Sequence, residues 1–271
     1  MSNPQLESAR EFTVGSVLGR TKTILFTQPL MFMGLAFIAL APSTLVQILG
    51  GNETIKSLGK LINFIFIMII QGAFAYGVFQ IINGHPASFG ASLSRGMTRF
   101  FSIVGTSILI GLGVGFGAFL PLMPGLIFQS AFLLIFGALV DAFLVPSLMC
   151  RWTLAIPACV VEHLGAADSL GRSAELTKGY RLKVLCLQAL AYLLFIIFGI
   201  LASTLAKLCI PFFFSFLGLG FFATAVILLL IMDVLLSLPM AFLCVTTTTT
   251  YYDLRSAKEG VTVDSLANVF D

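Results

Sequence analysis

The chain has 271 residues, of which 58% are hydrophobic and 10% are charged, with a mean hydropathy of +1.04 and a formal net charge of +3. A soluble domain carries about 25% charged residues, so a single water-soluble core is excluded and the sequence predicts an integral membrane protein. The net charge is too small to indicate nucleic-acid binding. Five widely spaced cysteines form no Cys-x-x-Cys pair, so neither a disulfide framework nor a metal site is predicted.

Six apolar segments follow one another along the chain, and each is long enough to cross a bilayer, which takes about 20 residues. A polar tail is predicted after them, over residues 251–271. The predicted fold class is therefore an all-α integral membrane protein with six transmembrane helices. The segments lie at about residues 24–48, 61–82, 101–120, 126–149 (an extension to 161 is left open), 184–206 and 218–249.

A short motif recurs before the first, third and fifth of these segments. It ends in Arg20, Arg95 and Arg172, which are 75 and 77 residues apart. His85 and His163 are separated by a similar 78 residues. Because a fixed period indicates a repeated unit, we predict three parallel repeats within one membrane domain. Each would be an amphipathic surface helix followed by a transmembrane hairpin, at about residues 11–83, 87–161 and 166–250.

Lys and Arg are distributed unevenly between the two sides that this arrangement predicts. Three of the fifteen, Lys56, Lys60 and Lys207, fall on one side. The others fall on the opposite side, with the amphipathic helices and both termini. Cytoplasmic loops carry an excess of Lys and Arg, so we expect both termini and the three amphipathic helices to be cytoplasmic.

The amphipathic helices are the predicted lipid-contacting elements. A basic amphipathic helix lies in the headgroup plane, and each cation near an anionic surface contributes about 1 kcal/mol. Two interpretations stay open: these cations only set the orientation, or they recognise anionic lipid or a protein partner. The candidate lipid-surface residues are Arg20, Lys22, Arg95, Arg99, Arg172, Lys178, Arg181 and Lys183.

Asp141 and Asp233 are the candidate polar residues inside the membrane. Each lies near the middle of a predicted span, where a charged side chain costs about 2.5–3.5 kcal/mol on insertion scales. We therefore expect both to face the bundle interior and to find a partner. They act either as a proton or ion relay or as neutral hydrogen-bonded links between helices.

Two local patterns concern the packing of the helices themselves. Alternating glycines over residues 111–117 form small-xxx-small pairs, which predict close helix contact in lipid. Five consecutive threonines over residues 246–250 are expected to bond carbonyl groups one turn back, which lets this β-branched run remain helical.

The sequence gives little support to an enzyme. It contains no Gly-x-Ser-x-Gly, His-Glu-x-x-His or Walker motif. The one carboxylate–imidazole cluster comprises Glu162, His163 and Asp168, and it would have to face a headgroup pocket to modify lipid. We predict no catalytic residue, no cofactor and no metal.

Several stretches resemble a group of bacterial membrane proteins. They are residues 151–158 (RWTLAIPA), 160–165 (VVEHLG), 169–173 (SLGRS), 176–179 (LTKG), 251–255 (YYDLR) and 259–260 (EG). Together they resemble the proteins grouped with the glycerophosphodiester phosphodiesterase membrane domain and with YciC-like proteins. The resemblance implies a multi-pass bacterial inner-membrane protein. Some members carry a separate phosphodiesterase domain, whose activity we do not carry over because no segment here has room for it.

These observations favour a non-enzymatic inner-membrane protein that organises or assists a membrane process. Its basic cytoplasmic helices would engage anionic lipid headgroups or a protein partner. The alternative is a transporter or channel for a small solute, an ion or protons, which would use Asp141 and Asp233. The sequence predicts no oligomeric state.

Overall fold

The computed structural model describes residues 12–49, 52–217 and 221–260. Every regular element in these ranges is an α-helix, which confirms the predicted all-α class. In chain order the helices are α1 (Val14–Thr27), α2 (Pro29–Leu49), α3 (Glu53–Ile82), α4 (Phe89–Thr98), α5 (Phe100–Ile127), α6 (Ala131–Trp152), α7 (Ala155–Val161), α8 (Ala166–Thr177), α9 (Arg181–Leu217) and α10 (Phe221–Glu259).

Within the described residues, six helical segments are long and apolar enough to cross a membrane, as predicted. The fourth continues through α7, so the longer of its two predicted ends is correct. The chain is therefore a multi-pass membrane protein, and its described spans are Pro29–Ile48, Glu53–Ile82, Phe100–Ile127, Ala131–Val161, Arg181–Cys209 and Val226–Glu259.

The predicted polar tail is wrong in its first part. Helix α10 continues to Glu259, and Tyr251 inside it is fully buried. The charged residues after Tyr252 indicated a polar end, whereas the stretch continues α10 and its first four residues, 251–254, are buried in protein. The rest of the predicted tail, residues 261–271, lies outside the described residues, as does the start of the first predicted repeat at residue 11.

The long helices form three hairpins, α2 with α3, α5 with α6, and α9 with α10. Each hairpin is preceded by one short helix, which packs on the end of another hairpin: α4 on α3, α8 on α7, which continues the span of α6, and α1 on α10. The contact of α1 with α10 joins the first described helix to the last, so that each hairpin is linked to the next around a closed ring of three. Such a ring is what a pseudo-threefold axis would produce, and the threefold repeat itself stays a prediction.

Among the described residues the core has three buried clusters: one of α1, α2, α3 and α10 lies mostly within the spans, a smaller one joins α3, α5 and α7, and the third lies at one end of the bundle. The third cluster contains side chains of α1, α3, α7, α8, α9 and α10, and its aromatic centre joins Phe79 to Tyr251 and Tyr252 at centroid distances of 5.9 and 6.0 Å. We call this end, formed by α1, α4, α8, the first turn of α9 and the last turns of α3, α7 and α10, the basic end. The three predicted repeat motifs, with Arg20, Arg95 and Arg172, all lie here.

The inner faces of the three short helices contact protein rather than lipid. In α4 the buried residues are Ser92 and Gly96, whereas the apolar Met97 is exposed. A Cβ atom on Gly96 would lie 2.4 Å from the carbonyl oxygen of Ile69, so α4 and α3 touch backbone to backbone. Only the outer surfaces of these helices are therefore available to lipid, and their expected position in the headgroup plane stays a prediction.

Both local packing patterns are found in the long helices. A Cβ atom on Gly113 would lie 2.5 Å from the Trp152 ring, and one on Gly117 would lie 2.5 Å from Leu148, so this pair brings α5 against α6. A Cβ atom added at Gly111 or Gly115, the second pair, would meet no atom of the described residues within 4 Å, so this pair forms no such helix contact. All five threonine hydroxyls of residues 246–250 donate to carbonyl oxygens four residues earlier, at 2.7–3.1 Å.

Candidate functional site

The predicted lipid-surface cations divide into those with partners inside the protein and those that face outward. Arg20 belongs to the first group. Its guanidinium pairs with the Asp253 carboxylate and lies 5.0 Å from the centroid of the Tyr252 ring. Arg20 therefore fastens α1 to α10 and is not available to a lipid headgroup.

Arg172 is held still more firmly, at the centre of an ion network. Its Nε donates to both oxygens of Glu162, at 2.9 and 2.8 Å, and its Nη2 pairs with Glu259. Burial alone lowers the pKa of the Arg172 guanidinium, but the hydrogen bonds and charges of the two carboxylates outweigh burial and raise this pKa above its ordinary value. Arg172 thus stays charged while linking α8 to the α7–α8 loop and to α10.

The second half of this network comes from α10. Arg255 Nε lies 3.2 Å from Glu259 and 3.7 Å from Glu162, and the Tyr251 hydroxyl donates to Glu162. These α10 residues were missed because they fell in the predicted tail. Their spacing, i, i+4 and i+8, was the available signal, since it places them on one helix face.

Arg95 and Arg99 also contact protein. The Arg95 guanidinium lies 5.7 Å from the centroid of the Tyr76 ring, a cation–π contact of α4 with α3. Arg99 contacts Nδ1 of His163, whose backbone has a positive φ of 56°. His163 and Arg99 thereby join the α7–α8 loop to the junction of α4 and α5.

The remaining four predicted cations, Lys22, Lys178, Arg181 and Lys183, are exposed. Lys183 Nζ donates to the carbonyl oxygen of Phe12 at 2.8 Å. The other three form no ion pair with any residue in the described ranges. A further cation that the sequence did not single out, Lys258, donates to the carbonyl oxygens of Glu175 and Lys178 at the end of α8 and so complements the helix dipole.

The two intramembrane aspartates do not share a site. Asp233, 6% exposed, accepts a hydrogen bond from the Thr44 hydroxyl and so links α10 to α2. Asp141 is half-buried on α6, and its Oδ1 is buried without a partner in the described structure. The expected interior partner is therefore present for Asp233 and absent, within the described residues, for Asp141.

The carboxylate–imidazole cluster also separates. Glu162 bonds to Arg172 and Tyr251, His163 contacts Arg99, and Asp168 is exposed in the first turn of α8. Across residues 12–49, 52–217 and 221–260, no group of three or more His, Cys, Asp or Glu side chains is placed to hold a metal.

Comparisons of the chain with protein-family models, with curated proteins and with solved structures find no match. The resemblance to the glycerophosphodiester phosphodiesterase membrane-domain group therefore stays a prediction.

Proposed function

We propose that this chain is a non-enzymatic protein of the bacterial inner membrane whose basic end faces the cytoplasm and engages anionic lipid headgroups. The observation that carries the proposal is the exposure of Lys22, Lys178 and Arg181 at one end of a six-span bundle, without an ion-pair partner in the described part of the chain. Through this contact the protein would organise or assist a membrane process.

The surroundings of these cations support a lipid partner. Phe26 lies one helical turn after Lys22, and Leu182 directly follows Arg181; both apolar side chains are exposed. A cation next to an exposed apolar side chain matches the boundary between headgroups and acyl chains. Each such cation contributes about 1 kcal/mol at an anionic surface. A protein partner is the second candidate for the same surface.

The transport alternative has less support. A relay needs polar groups that hand an ion or proton from one to the next. Asp141 and Asp233 have no common partner, since Asp233 bonds to Thr44 of α2 and Asp141 lies on α6.

Native mass spectrometry of the full-length protein in mild detergent tests the lipid proposal. Bound lipid is measured during titration with phosphatidylglycerol or phosphatidylcholine. We expect preferential binding of phosphatidylglycerol, and the variant K22Q/K178Q/R181Q should lose about tenfold or more of its affinity for it.

The matched control is K56Q/K60Q/K207Q, which removes the same number of positive charges from the opposite end. It should bind phosphatidylglycerol at the basic end as the wild type does. Equal affinity of the wild type for both lipids, or equal losses in the two triple variants, would contradict the proposal.

A further inference from the structure

A cavity of about 380 Å³ lies among α3, α5, α6, α7, α9 and α10. Its size falls within the range of small-molecule sites, about 300–1,000 Å³. The lining is largely apolar, and it includes Trp152, the single tryptophan of the chain. Neither Asp141 nor Asp233 lines it, so this cavity is separate from the predicted transport residues.

The cavity is open on its lipid side and closed on its inner side. Met149 of α6 and Tyr192 of α9 line it and are 42% and 51% exposed. On the inner side Cys150 and Thr248 are buried. Because these two residues and the third exposed lining residue, Ala189, all belong to membrane-spanning segments, the molecules that reach this opening are those of the bilayer.

The inner wall carries polar atoms suited to a lipid ester. Gln188, 6% exposed, donates from Nε2 to the Thr247 hydroxyl at 3.0 Å. A glutamine amide has two donor hydrogens and two acceptor lone pairs, so this bond leaves capacity for a ligand. The Thr247 hydroxyl is itself anchored to the carbonyl oxygen of Leu243 at 2.9 Å, which fixes the pair in place.

Arg181 lies near the opening of the cavity, toward the basic end. Leu185, Gln188, Ala189 and Tyr192 form the cavity face of α9, and Arg181 precedes Leu185 by one helical turn, on the same face. Arg181 is exposed. It lies about 10 Å along the axis from Gln188, while the interfacial zone of one leaflet is roughly 5–7 Å thick. A phosphate at Arg181 therefore places ester groups and the first methylenes near Gln188.

We propose that this cavity binds one acyl chain of an anionic glycerophospholipid, with the phosphate at Arg181 and the ester region at Gln188 and Thr247. The assignment deepens the proposed function and rests on it for the headgroup charge. The basic end would then hold one lipid in a defined site as well as contacting the surrounding leaflet.

Trp152 allows a direct test, because bromine atoms on an acyl chain quench tryptophan fluorescence on contact. The full-length protein is reconstituted in phosphatidylcholine vesicles that contain increasing amounts of chain-brominated phosphatidylglycerol or chain-brominated phosphatidylcholine. We expect a saturable quenching phase at low mole fraction for the anionic lipid and a gradual, non-saturating decline for the zwitterionic one.

Two test variants, each with a matched control, distinguish the acyl-chain contact from the headgroup contact. A189F fills the mouth of the cavity and should abolish the saturable phase, whereas C186F adds the same ring at an exposed position of α9 outside the lining and should retain it. R181Q should shift the saturable phase to about fivefold higher lipid content, and K207Q, which removes an exposed cation at the opposite end of α9, should not.

Identical, non-saturating quenching by the two brominated lipids in the wild type would overturn the assignment without recourse to any variant. So would a saturable phase that survives in A189F. Either result could be found while mass spectrometry still shows selectivity for phosphatidylglycerol. In that case the proposed acyl-chain site is wrong and the proposed headgroup contact is retained.

Discussion

Glu162 is the residue on which most of the polar contacts at the basic end converge. It accepts hydrogen bonds from Arg172 and Tyr251 and lies 3.7 Å from Arg255. Its side chain is 14% exposed, so water cannot replace these partners efficiently. Without the Glu162 charge, Arg172 and Arg255 would share the carboxylate of Glu259, so that part of their positive charge would stay poorly solvated and unpaired.

The variant E162Q should therefore destabilise the protein by about 2–3 kcal/mol. Thermal unfolding in detergent should show a midpoint about 5–10 °C lower. The control is E175Q, because Glu175 is 74% exposed and lies 3.7 Å from Arg172; an exposed pair contributes about 0–1 kcal/mol. Equal midpoints for E162Q and E175Q would show that the network does not hold α8 and α10 together.

At the scale of elements, α4 depends on the absence of a side chain at one position. Gly96 lies against the backbone of Ile69 and Ala73 in α3. A Cβ atom added at Gly90 of the same helix would meet no atom of the described residues within 4 Å. A methyl group at Gly96 must push α4 away from α3, because backbone atoms cannot rotate aside as a side chain does.

We expect G96A to cost about 1–3 kcal/mol and G90A to be neutral or to stabilise by about 0.5–1 kcal/mol through its higher helix propensity. Thermal unfolding of both variants measures the difference. If G96A unfolds at the same temperature as G90A, the close contact between α4 and α3 is wrong.

Sequence patterns predicted which elements exist better than what those elements touch. Long apolar runs indicated six spans because lipid is their only suitable solvent. The buried Ser92–Gly96 face of α4 gave no such signal, since small residues pack closely without being strongly apolar. The ion pairs at the basic end were likewise predicted only in part. Periodicity placed Arg20 and Arg172 near a charged surface, but only tertiary structure brings Asp253, Glu162 and Glu259 to them.

At the scale of the whole molecule, burial is unevenly distributed: α2, α3 and α10 bury one cluster of side chains within the spans, and a second cluster lies at the basic end. The last turns of α3, α7 and α10 form a protein-packed core inside α1, α4 and α8. The α5–α6 hairpin is mostly exposed along its length, as expected for helices whose solvent is lipid. The α5–α6 hairpin and the basic end thus have different surroundings, and the exposed cations lie at the basic end.

The central claim is that the basic end is a single structure on one side of the membrane. Cysteine accessibility tests it in a variant whose five native cysteines are replaced by alanine. Single cysteines at Thr23, Ser94 and Gly171 mark the outer surfaces of α1, α4 and α8, and cysteines at Thr54 and Phe128 mark the opposite end. A membrane-impermeant thiol reagent should label the first three only from the cytoplasmic side and the last two only from the outside. Labelling of any one of the first three from the same side as Thr54 would contradict the account.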